Sequence, residues 1–231
     1  MHMKFKLNVF LAELLGTFIL VFIGALAVLV TNNPGNVGTL AVIIPALAHG
    51  LVLVGLIYMF GHHSGAQFNP AVTAGLVVGG KLPIAEAVQN WIAQIVGALV
   101  AGFLVVAVAN GTGIAEYAGV AGETTGVLTS SSLILAGVVE LILTFILVTV
   151  VYQAAVYGKA GNLAGVAIGF TLAGCIAATG TLTGASLNPA RTLGPAIAGG
   201  NFDYVPVYLI AIFAGGILAG VVNTMFLKPT N

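Results

Sequence analysis

Asn-Pro-Ala occurs twice in this chain, as Asn69-Pro70-Ala71 and Asn188-Pro189-Ala190. Asn suits the cap position before a helix, and Pro suits the first helical position. The cap uses the side-chain oxygen, so the amide NH2 remains as a donor. Each triplet opens an apolar run closed by a Gly-Gly pair, Gly79-Gly80 in one case and Gly199-Gly200 in the other. Such a run makes a helix of roughly 15 Å, about half the hydrocarbon core of a bilayer. A helix that stops halfway must aim its open end at protein or at a water-filled path, because lipid offers no hydrogen bonds. Two such ends that meet bring two amide donors and two positive dipole ends into one space. A water there would give its oxygen to Asn69 and Asn188 and turn its hydrogens away, which breaks a proton wire and repels cations. One Asn-Pro alone would read as an ordinary helix cap in a loop.

The elements that position these triplets are set by composition. The chain has 231 residues, 59% hydrophobic and 5% charged, with a mean hydropathy of +1.14. A soluble domain of this size could not hide that much apolar surface, so the solvent is lipid. The 32 glycines fit close helix packing in a membrane. Net charge is zero and no basic block exists, which argues against nucleic acid as a partner. Six stretches are long enough to span, at roughly Leu7–Val30, Thr39–Phe60, Pro83–Ala109, Ser131–Tyr157, Leu163–Gly180 and Tyr204–Leu227. The half-helices follow spans two and five. With this count Lys4, Lys6, Lys81, Lys159 and Lys228 all fall on one side, and Glu116, Glu123 and Asp203 on the other. The lysine side is expected to be cytoplasmic, with both termini there.

The chain also repeats itself. Gly61 to Gly75 aligns without a gap on Gly180 to Gly194, with eight of fifteen positions identical. Ala12-Glu13-Leu-Leu-Gly-Thr17-Phe18 is echoed more weakly by Val139-Glu140-Leu-Ile-Leu-Thr144-Phe145. Three spans per half is an odd number, so the second half enters from the opposite face. The expected organisation is one channel domain over 1–231, with inverted repeats at about 7–109 and 131–227 joined by an outer loop at 110–130.

Both Asn-Pro-Ala boxes, the Gly61-His62-x-Ser64-Gly65 approach, the Asn188-Pro-Ala-Arg191 signature and the Glu13 and Glu140 echoes resemble the aquaporins of the major intrinsic protein family. The resemblance runs from about Phe10 to Leu227. It implies an all-α membrane protein of six transmembrane helices plus two re-entrant half-helices, one pore per chain and homotetramers. Arg191 is the only arginine, and a guanidinium at membrane depth is costly and by default functional. The family places it at a constriction whose other positions fall on His49, Ile176 and Ala185. Strict water channels have Phe and His where His49 and Ile176 stand here, so the resemblance implies a wider, less polar opening. A similar set is found in some plant vacuolar aquaporins, whose relatives pass ammonia or urea besides water. Glycerol facilitators resemble Asn-Pro-Ala-Arg-Asp after the second box, whereas Thr192 follows Arg191 here.

By the same resemblance, Glu13 and Glu140 brace the re-entrant loops, and His62 supports the first of them. The carbonyls of Gly65, Ala66 and Gln67, and of Gly184, Ala185 and Ser186, form an acceptor ladder for moving water. His62 and His63 lack metal-ligand spacing, and no metal or cofactor is expected. Ala185 stands where some relatives carry a pore-lining Cys, so mercurials should act weakly unless Cys175 faces the lumen. Asn110-Gly111-Thr112 is a glycosylation sequon on the expected outer side.

The expected function is a passive channel for water and small neutral solutes (ammonia, urea, glycerol) that excludes protons and ions, in the cell membrane. The alternatives are a secondary transporter with broken helices and a structural membrane protein. A transporter would usually need an ionisable coupling residue near the site, and neither box has a carboxylate nearby. No nucleophile–base pair is visible, so an enzyme is not expected.

Overall fold

Long apolar runs in lipid can satisfy their backbone only as helices or closed barrels. The computed structural model describes residues 5–31, 40–112 and 122–230, and among them there is no strand. Lys4, Glu116, and residues 32–38 of the loop expected after span one lie outside the described residues. The helices are α1 Leu7–Thr31, α2 Leu40–Ser64, α3 Pro70–Val78, α4 Ile84–Thr112, α5 Val127–Ser131, α6 Leu133–Val151, α7 Ala164–Thr183, α8 Pro189–Gly199 and α9 Val205–Met225. Six of these are long and apolar enough to cross a membrane, and they match the six expected stretches within a few residues.

Several ends differ from expectation, and two of them bear on the site. The fourth span stops being α-helical at Val151 and continues as a π-helical turn, Tyr152–Val156, in which Tyr157 N–H reaches back to Tyr152 C=O. The fifth runs on past Gly180 to Thr183, because Thr183 and Gly184 close the helix against the second loop. The short α5 lies in the expected outer loop, where polar sequence gave no helical signal.

α3 and α8 are the two half-helices, of 9 and 11 residues. Each is capped by its Asn in extended backbone, with Pro at the start of the helix. α8 ends at Gly199 with Gly200 in the left-handed region, φ 79°, a conformation glycine adopts without strain. α3 packs on α9 and α8 on α4, so each half-helix rests on a span from the other half of the sequence. The contacts are backbone to backbone. A Cβ on Gly216 would stand 2.4 Å from Ala71 C=O, and one on Gly194 would stand 2.3 Å from Ala98 C=O. Large apolar side chains such as Leu51, Phe103, Ile134 and Ile210 stay exposed on the outside of the bundle, where lipid replaces water.

Candidate functional site

The two loops before the boxes repeat one backbone conformation. Gly65, Ala66 and Phe68 have φ of 83°, 50° and 49°, and Gly184, Ala185 and Leu187 have 80°, 44° and 54°. Non-glycine residues rarely sit in this region, and the surroundings must hold them there. Two buried carboxylates do so. Glu13 Oε1 accepts from Ser64 Oγ at 2.6 Å and from Gln67 N–H at 2.9 Å, and Oε2 accepts from Phe68 N–H at 2.7 Å and Gln94 Nε2 at 2.7 Å. Glu140 Oε1 accepts from Thr183 Oγ1 at 2.7 Å and Ser186 N–H at 3.0 Å, and Oε2 accepts from Leu187 N–H at 2.9 Å. Both glutamates are fully buried.

The hydroxyls of Ser64 and Thr183 also accept from the N–H of Ala66 and Ala185, each at 3.1 Å. The His62 ring, expected to support this loop, is exposed and lies 3.9 Å from the His63 ring between centroids, while Ser64 bonds both Glu13 and Ala66 N–H. Ser64 and Thr183 align in the internal repeat and are both hydroxyls, which is the signal that could have found them.

The open ends of α3 and α8 meet. Asn69 Oδ1 caps Ala71 N–H at 2.9 Å, and Asn188 Oδ1 caps Ala190 N–H at 2.9 Å and Arg191 N–H at 3.3 Å. Asn69 Nδ2 donates to Leu187 C=O at 2.8 Å, and Asn188 Nδ2 donates to Phe68 C=O at 2.9 Å. Each loop thus binds the cap of the other. An amide NH2 carries two hydrogens, so each Asn keeps one further donor.

A cavity of about 380 Å³ passes both Asn residues. Its lining mixes polar residues, Ser64, Gln67 and Ser186 among them, with aliphatic ones that include Leu20, Leu53, Leu147 and Leu172. Its lysine-bearing end reaches Lys81, whose ammonium lies 5.4 Å from the Tyr157 ring centre, and the π-turn residues Ala155 and Val156. Its other end reaches His49 and Arg191. A second, smaller cavity of about 140 Å³ begins at His49 and is lined by Ile176, Gly184 and Glu123 among others.

His49 is shared by both cavities, so the passage between them narrows there. Its Nδ1 lies 2.8 Å from Pro45 C=O, and its Nε2 lies 3.1 Å from Arg191 Nε. Arg191 Nε and the Pro45 carbonyl can act only as donor and acceptor, so the ring is neutral with its proton on Nδ1. Gly24 leaves room for it: a Cβ there would stand 2.0 Å from Nε2. Arg191 is 3% exposed, and its Nη1 has no hydrogen-bond partner among the described residues, which leaves a spare donor at the narrowing.

The expected constriction set is therefore brought together in part. His49, Arg191 and Ile176 line the cavities, whereas Ala185 lies in the neighbouring aliphatic cluster and lines neither. Of the expected carbonyl positions, Gly65, Ala66, Gln67 and Ser186 line the larger cavity and Gly184 the smaller. Cys175 is buried in the same aliphatic cluster and lines neither cavity. Among the described residues no group of His, Cys, Asp and Glu has the geometry to hold a metal ion.

The model of the family described as Major intrinsic protein matches residues 1–223. Aquaporin TIP2-3 of Zea mays is 38% identical over 225 residues, covering 94% of this chain and 86% of that protein. Probable aquaporin TIP2-2 of Arabidopsis thaliana is 35% identical over 223 residues, with the same coverage. The X-ray structure of the aquaglyceroporin from Plasmodium falciparum superimposes with a TM-score of 0.83 at 28% identity, over 96% of this chain and 97% of that one. The chain belongs to the major intrinsic protein family, and it is an integral membrane protein with that family's helical fold.

Proposed function

We propose that the chain is a passive channel for water and for small neutral solutes such as ammonia, urea and glycerol, and that it excludes protons and ions. The family is one of channels, and its relatives carry the name aquaporin. The observation that carries the finer reading is the exchange of bonds between Asn69 and Leu187 and between Asn188 and Phe68, beside a largely aliphatic cavity with a few polar residues. A water at that point finds two N–H donors and little else. Its oxygen turns to them, its hydrogens turn outward, and neighbouring waters cannot pass a proton across it. The aliphatic lining keeps partners few, so a water leaves as readily as it arrives.

The narrowing at His49 and Arg191 sets which solutes follow. It offers donors from the guanidinium, while Ile176 lies just beyond on the smaller cavity. This pattern suits small neutral molecules with acceptors and opposes cations. A coupled transporter is disfavoured by Glu13 and Glu140, whose carboxylate oxygens are bound by loop donors and do not line the larger cavity. We further infer that the lysine-bearing face is cytoplasmic, that the two repeats are inverted, and that the chain works as a homotetramer with one pore per subunit.

Stopped-flow shrinkage of proteoliposomes tests the reading. The expected result is fast osmotic shrinkage with a low activation energy and no dependence on voltage. Shrinkage no faster than that of empty liposomes would reject it. Isotope uptake of urea, glycerol and neutral methylamine on the same vesicles ranks the solutes.

A further inference from the structure

The smaller cavity holds a charged group that the passage of water does not use. Glu123 lies in Gly122-Glu123-Thr124-Thr125-Gly126, a segment clamped between α1 and the end of α7. A Cβ on Gly122 would stand 2.4 Å from Ala25 C=O, and one on Gly126 would stand 2.5 Å from the carbonyl carbon of Leu182. From the other side, a Cβ on Gly184 would stand 2.4 Å from the Thr124 backbone. These contacts are with backbone, so the segment has little freedom to lift away. Glu123 is 8% exposed, lines the smaller cavity, and its Oε2 has no hydrogen-bond partner among the described residues. A buried carboxylate oxygen without a donor is costly unless something in the cavity supplies one.

Among the described residues that line the cavity, Glu123 is the one charged group. Gly180 and Thr181 line it from the last turn of α7, the negative end of that helix. Thr125 also lines it, and His49, which lines it too, is neutral. Beyond His49 stands Arg191, whose guanidinium lies within the field of Glu123 and bars onward passage of a cation. A bare Ca²⁺ or Na⁺ would need a cage of several oxygens, which one carboxylate does not make. A cation carrying N–H groups needs only the carboxylate, which pairs with a planar guanidinium through two parallel bonds.

We propose that the smaller cavity is a binding site for small N–H-bearing cations of the ammonium and guanidinium class, held on Glu123, and that an occupied site obstructs the pore. The obstruction rests on the reading of the chain as a water pore; the site itself does not. The probe is guanidinium chloride at concentrations well below denaturing ones, present on both sides of the membrane, against sodium chloride at equal osmolality. Wild-type shrinkage is expected to slow severalfold in guanidinium relative to sodium. In Glu123→Gln, compared with its own rate in sodium, the apparent affinity for guanidinium should fall at least about tenfold, as when a charge-assisted bond is lost. Tetramethylammonium, which has no N–H, should not slow the wild type.

Slowing of equal strength in wild type and Glu123→Gln would overturn the proposal, as would equal slowing by tetramethylammonium or none by guanidinium. If Glu123→Gln does not incorporate, Glu123→Asp keeps the charge on a shorter arm and should bind more weakly; unchanged block in that variant overturns the site. Should the wild type in sodium shrink no faster than empty liposomes, the water-pore reading fails and the obstruction with it. Calorimetry with guanidinium on the purified protein then decides the site, which stands only if the wild type binds and the Glu123 variant does not.

Discussion

Asn69 and Asn188 each do three things with one amide. The oxygen caps the residue's own half-helix, one N–H holds the opposite loop, and the second N–H remains for a permeant. These uses separate in Asn188→Ser. A serine hydroxyl still caps but is too short to reach Phe68 C=O, which is then buried without its partner. The expected cost is about 1–3 kcal/mol for the stranded carbonyl, read as a lower melting temperature in detergent, together with slower water flow per channel. An unchanged melting temperature would show that the cross-loop bond contributes little. The two Asn residues were legible in the sequence because capping and Pro at the first turn are chemical signatures. Their partners were not, because Phe68 and Leu187 act through carbonyls set by a left-handed backbone, and neither side chain announces that conformation. Ser64 and Thr183 were legible only through the repeat, in which they align and share a hydroxyl and a role. His49 shows how far one atom of spacing matters. Gly24→Ala leaves every constriction residue in place yet puts a methyl 2.0 Å from the position of His49 Nε2. The imidazole must swing off Arg191, so the ratio of urea to water permeability should change by severalfold, in the same direction as in His49→Ala.

The helices were readable as elements because lipid leaves a twenty-residue apolar run no other structure. Their ends were less so. The π-helical turn at Tyr152–Val156 follows directly on the last α-helical residue of the fourth span, and no Gly or Pro marks the change. It places Ala155 and Val156 on the larger cavity, and Tyr152 donates its hydroxyl to Gly75 C=O on α3 at 2.9 Å. The glycines were visible as packing features, but not what they pack. The structure gives them the half-helices. Gly216 and Gly220 face Ala71 and Gly75 of α3, and Ala98 and Gly102 face Gly194 of α8. Because backbone meets backbone, nothing can rotate aside. Gly194→Ala puts a Cβ 2.3 Å from Ala98 C=O, so α8 must shift, and Arg191 shifts with it. Overpacking of this kind costs about 1–3 kcal/mol. Thermal unfolding of the variant should move down, and its solute selectivity should change without any substitution in the constriction.

At the scale of the molecule, charge is arranged along one path. Five lysines were expected on one face, and the structure puts Lys81 at that end of the larger cavity and Glu123 at the far side of the narrowing. Between them lie the positive ends of two half-helices and Arg191. Each helix end amounts to roughly half an elementary charge, so the two caps together contribute about as much as one guanidinium. The carboxylates that could cancel this field at the centre, Glu13 and Glu140, have their oxygens bound by loop donors. On the proposed function, the barrier to protons and cations is shared about equally between the Asn pair and Arg191. Arg191→Val tests the division. It removes one share, frees His49 from its partner and widens the narrowing. Water flow should persist, and urea and glycerol uptake should rise. Proton leak, followed with a pH-sensitive dye trapped in proteoliposomes, should increase above wild type yet stay far below that of an open water wire. A leak identical to wild type would place the whole barrier at Asn69 and Asn188, and a leak as large as that of an unselective pore would place it all on Arg191.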